Sequence, residues 1–118
     1  RMLSFNSQLK VFVATGPCDL RKSFNGLWTA ATEQLGEDPK GGAVFVFGNR
    51  RRNRIKILYF DGTGVCVLAK RLEQGTFNWP RSATEPKAKL KLTPQALQLL
   101  LDGVDLKDGG QRPWYESP

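Results

Sequence analysis

At 118 residues, with 40% hydrophobic side chains and seven Phe, three Trp and two Tyr, the chain is one domain with material for a modest core, which excludes wholesale disorder. It carries a net charge of +7 and no histidine, so His-based zinc sites and every nucleophile–His arrangement are excluded. Cys18 and Cys66 lack metal-ligand spacing, and no apolar leader or 18-residue apolar run is found.

A cytoplasmic protein with two reduced thiols is the expectation. The charge is uneven. Residues 1–39 carry four basic and four acidic groups, residues 40–91 carry twelve and three, and residues 92–118 carry two and four. The middle of the chain is therefore the part that would face a polyanion.

In chain order, residues 9–14 read as a strand with β-branched Val11 and Val13. Thr15-Gly16-Pro17 breaks it, and Asp19 is placed to cap one long helix over 20–35. Leu20, Phe24, Leu27, Ala31 and Leu35 share a stripe at spacings of three and four. Gly36 supplies a left-handed stop, and Asp38-Pro39 blocks any restart.

The central region reads as β. Strands are predicted at 43–47, 55–60 and 65–71, with Asp61-Gly62 as a tight turn and a further strand at 76–79 closed by Pro80. Residues 81–86 read as a polar loop. Lys87, Lys89 and Lys91 then alternate with apolar residues, predicting a half-buried strand with a lysine ridge facing water. Thr93 caps a second helix with Pro94 at its first position, stopped by Gly103. The fold class is α+β: a mainly antiparallel sheet of about five strands, one long amphipathic helix packed on it, and a short C-terminal helix. Residues 3–105 form the domain, and 106–118 a flexible tail in which Trp114 and Tyr115 could dock.

Between Arg50 and Lys56 lie five positive charges in seven residues, on the turn between two predicted strands. Guanidiniums crowded on a folded turn repel, and a polyanion relieves that repulsion. Their planar forks match phosphate oxygens two at a time. Lys70, Arg71 and the lysine ridge could extend the same surface. Arg21 and Lys22 sit in the first turn of the predicted helix, where the macrodipole disfavours cations unless an anion joins them. Solvated surface charge is the plain alternative for all of these. The candidate nucleic-acid contacts are thus Arg21, Lys22, Arg50, Arg51, Arg52, Arg54, Lys56, Lys70, Arg71, Lys87, Lys89 and Lys91.

Catalytic patterns are thin. The phosphate-loop and dinucleotide fingerprints are missing. Asp19, Asp61 and Glu73 would have to converge to hold metal for a small nuclease, whereas turn and cap chemistry accounts for each. No catalytic residue, metal, cofactor or small-molecule ligand is expected. Most aromatics must fill the core, while Trp28 could serve an interface.

Three ordered segments carry a resemblance: residues 14–27, from Ala14-Thr15-Gly16-Pro17 through Asp19-Leu20-Arg21-Lys22 to Leu27; residues 44–62, with Asn49-Arg50-Arg51-Arg52 and Asp61-Gly62; and residues 70–80, with Lys70-Arg71 and Trp79-Pro80. In that order and spacing the chain resembles the accessory proteins encoded by the second small reading frame (TnpB) of insertion-sequence-66 bacterial transposable elements. The likeness covers about residues 3–105; Cys18 departs from it where a threonine is expected. It implies a non-catalytic accessory role in transposition; DNA as the partner is the expectation drawn from the basic residues, and no membrane association is expected because no long apolar run is found. The competing reading is a module that binds the transposase or a second accessory subunit.

Overall fold

The structure, a computed structural model, describes residues 8–81 and 87–103. Five strands form one mixed sheet: β1 (Val11–Ala14), β2 (Val44–Gly48), β3 (Arg54–Phe60), β4 (Val65–Arg71) and β5 (Lys89–Leu92), in the spatial order β4-β3-β2-β1-β5. Three neighbouring pairs are antiparallel, and β1 runs parallel to β2. Parallel neighbours need a crossover. It is supplied by helix α1, Phe24–Thr29, which continues as a π-helical segment, Ala30–Gln34. A second helix, α2 (Pro94–Leu101), follows β5.

Both faces of the sheet are covered, which explains why central β2 is buried at every position. On one face Phe45, Phe47 and Leu58 pack against Leu27, Ala30, Ala31 and Leu35 of the crossover. On the other, Val13, Val46 and Ile57 pack against Leu97 and Leu100 of α2. The alternation predicted for the strands therefore sorts residues between two cores. α2 has the expected N-terminus, with the Thr93 hydroxyl accepting from the Ala96 N–H at 3.0 Å.

Three expectations are corrected. The first helix spans eleven residues from Phe24 to Gln34, not 20–35. Its start is delayed because the Asp19 carboxylate accepts the Arg21 N–H at 3.0 Å and the Lys22 N–H reaches the Asp19 carbonyl, closing a separate turn. Leu20 is still buried beside the helix, so the apolar stripe misled by continuing past the helix end. Residues 76–79 form no strand; Phe77 and Trp79 instead lie across the α2 face of the sheet. The lysine alternation of β5 is real, but its lysine face is the one on which the crossover ends. Lys89 is half-buried, bonding the Leu35 carbonyl and paired with Glu37, and Lys91 is half-buried too. The tail from Leu106 and the loop at 82–86 lie outside the described residues.

Trp79 is the bolt of the α2 face. Its indole N–H donates to the Ala14 carbonyl at 2.9 Å, and its ring lies against Gly48. A Cβ on Gly48 would stand 2.5 Å from that ring, whereas one on Gly64 meets nothing. Gly48→Ala should therefore lower stability by about 1–3 kcal/mol, while Gly64→Ala stays within about 0.5 kcal/mol of the parent in urea unfolding.

Candidate nucleic-acid interface

Because β1 and β2 are parallel, the loops that leave them emerge at the same end of the sheet. One is the turn around Asp19 and the other is the arginine turn into β3. The Cys18 N–H donates to the Gly48 carbonyl at 2.8 Å and ties the two together. Between them lies an open groove of about 500 Å³. Arg21, Arg50, Arg51 and Arg54 line it, with Asp19 as the one carboxylate, leaving three positive charges in excess.

The turn owes its shape to two asparagines. The Asn49 side-chain oxygen accepts from the Asn53 and Arg54 N–H groups, each at 3.1 Å, and its amide donates to the Asn53 side chain at 2.7 Å. Side-chain bonding of this kind stands in for backbone pairing in a turn. The Asn53 carbonyl accepts from the Leu72 N–H and the Arg52 carbonyl from the Phe77 N–H, so the turn is fastened to the segment that follows β4.

Arg52 differs from its neighbours. It takes the left-handed conformation (φ 59°), which sends its side chain back into the protein. Its guanidinium stacks 4.6 Å from the Trp79 ring centroid and donates to the Thr15 carbonyl at 3.1 Å. Burial, and then the nearby charge of Arg81, lower its pKa. Arg52 holds the turn; it does not line the groove.

Arg21 is held by Asp19 through a two-pronged contact, Nη2 to Oδ2 at 2.8 Å and Nε to Oδ1 at 3.0 Å. Hydrogen bonding from the Arg21 side chain, then from its backbone N–H, holds the Asp19 pKa down to about 2. Among the described residues no ion pair engages Arg50, Arg51 or Arg54.

The other sequence candidates divide. Lys56 Nζ donates to the Lys22 carbonyl at 2.9 Å, and Lys70 Nζ, on the α2 face, to the Leu101 carbonyl at the end of that helix. Arg71 stands opposite Arg54 in the β3–β4 register. Lys22 is exposed, with its stem close over Gly26. Lys87, Lys89 and Lys91 sit with edge strand β5 and do not line the groove. The twelve candidates thus form a compact cluster with outliers, not one stripe.

Asp61 is a turn residue: its Oδ1 accepts from the Thr63 and Gly64 N–H groups, each at 2.9 Å. These bonds, Thr63 first, hold its pKa down to about 2. Among the described residues no group of three or more Cys, Asp or Glu could hold a metal ion, and no helix is long and apolar enough to cross a membrane. Pro17 and Cys18, which line the groove, were missed by sequence reasoning, whereas Asn53, which locks the turn, lies within the 49–54 turn that the resemblance singles out. An asparagine on each side of three arginines was the available signal.

The described residues form a small α+β domain, a mixed sheet covered on both faces with an open groove between the loops that leave its parallel pair. The family model for IS66 Orf2-like protein matches residues 9–111, and the chain belongs to that family. It is 35% identical over 104 residues to "Uncharacterized protein y4hO" of Sinorhizobium fredii (strain NBRC 101917 / NGR234), covering 88% of each chain. It is equally similar to "Uncharacterized protein y4jC" of the same organism, covering 88% of this chain and 86% of the relative. No solved structure gives a significant match.

Two outcomes follow from these contacts. Arg52→Ala should cost about 1–3 kcal/mol in chemical unfolding by removing the ring stack and the Thr15 bond, whereas exposed Arg50→Ala stays within about 0.5 kcal/mol. Asp19 and Asp61 have lowered folded-state pKa values, so their stabilisation is present above the ordinary carboxylate range near 4. It is lost as pH falls toward 2. The thermal midpoint should drop across that window, and Asp61→Asn should flatten the drop.

Proposed function

We propose that this IS66-family accessory protein acts without catalysis by binding the phosphate backbone of DNA in the groove of Arg21, Arg50, Arg51 and Arg54. The observation that carries the reading is the convergence of those four arginines on one open groove whose single carboxylate is already engaged with Arg21. Three guanidinium forks without ion partners among the described residues suit phosphate oxygens. Contacts of this kind position a duplex and carry no sequence information. The setting is the transposition machinery that the family implies, with the transposase or a second accessory subunit as a further partner.

The test is anisotropy titration of a labelled duplex bearing an element end, at several salt concentrations. With four phosphate contacts the slope of log K against log salt should be about −3 to −4. Replacing Arg50, Arg51 and Arg54 together by alanine should weaken binding by roughly a hundredfold or more. Unchanged binding by the triple variant sinks the site. A stable complex with the transposase that survives both nuclease and the triple substitution would favour the interaction module instead.

A further inference from the structure

The groove does not end at Arg54. On the far side of that side chain a second depression of about 440 Å³ is lined by Leu20, Arg54, Lys56, Lys70 and Arg71. Leu20 and Arg54 belong to both. Across the β3–β4 ladder Arg54 is the direct register partner of Arg71, and both are exposed. Like charges directly opposite on antiparallel strands are destabilising. Among the described residues no ion pair relieves this one. Lys70 turns its ammonium to the Leu101 carbonyl and Lys56 directs its own to the Lys22 carbonyl, so neither ammonium is turned to the two arginines, whose forks have no ion partner among the described residues.

We infer that the Arg54–Arg71 pair is a second phosphate subsite, and that Arg54 bridges it to the groove so that one nucleic-acid strand is held at two successive phosphate positions. The inference rests on the DNA-backbone reading and specifies its ligand: a polymer of phosphodiesters, in preference to a single phosphate group. The groove arginine Arg21 already has a carboxylate in its fork, whereas Arg71 has none among the described residues. The second subsite therefore presents uncompensated charge, and a bound phosphate removes an existing cross-strand repulsion. Binding and stability are linked at this one pair.

Arg71→Gln keeps the length of the side chain and removes its charge. Anisotropy with a short labelled duplex should show affinity lowered roughly tenfold and the salt slope reduced by about one. The thermal midpoint without DNA should rise, because the opposed charges are gone. Wild-type affinity and slope in Arg71→Gln, with Arg50→Ala and Arg51→Ala weakened, would overturn the second subsite and leave the groove reading standing. Weaker binding with a lowered midpoint would make Arg71 a structural residue and overturn the subsite too. Failure of the unmodified protein to bind the duplex would remove both readings.

Discussion

The stack of the Arg52 guanidinium on the Trp79 ring fixes the end of the sheet on which the groove depends. A turn carrying three consecutive arginines has no apolar residue to hold it down. Here one arginine supplies the anchor. Its left-handed backbone costs about 1–2 kcal/mol, which the ring contact and the bond to Thr15 are of a size to offset. Trp79 is in turn fixed by the Ala14 carbonyl and by the missing side chain at Gly48. The same cluster joins the end of β1, the end of β2 and the segment after β4. With Arg52 facing inward, Arg50, Arg51 and Arg54 are left at the groove.

The second constraint is the parallel pairing of β1 and β2. An antiparallel pair would send the Asp19 loop and the arginine turn to opposite ends of the sheet. The crossover through α1 brings them to one end, and the bond from Cys18 to Gly48 closes the gap. Open sheets with helices on both faces commonly bind ligands beyond the carboxyl ends of parallel strands. This groove occupies the equivalent position on a sheet with a single parallel pair.

The five strands that formed, the Thr93 cap and the glycine stop at Gly36 were legible because each rests on local chemistry, whereas the strand expected at 76–79 did not form. Gly36 has φ 69°, and the Glu37 N–H bonds back to the Ala31 carbonyl, as a left-handed helix end requires. What was illegible depends on which face a neighbour covers. Lys89 alternates as a solvent-facing residue should, yet the end of the crossover lies beside that face and offers it the Leu35 carbonyl and Glu37. Arg52 looks like Arg50 and Arg51 in sequence, and only its backbone angle separates them. The parallel pairing left no local signature either, so the meeting of Arg21 with the arginine turn could be raised from sequence only as a question.

The division between lysine and arginine in the folded chain has a physical basis. Lys56, Lys70 and Lys89 each direct an ammonium to a main-chain carbonyl, at Lys22, Leu101 and Leu35 respectively. A compact ammonium on a flexible stem suits a single carbonyl. The cations that line the groove are all arginines, whose planar forks suit two oxygens of one phosphate. Within residues 40–91, Lys56, Lys70, Lys89 and the inward-turned Arg52 fasten the fold, while Arg50, Arg51 and Arg54 line the groove. Counting charge along the sequence merges them. What selects the outward set is the residue type together with the turn that Asn49 and Asn53 hold in place.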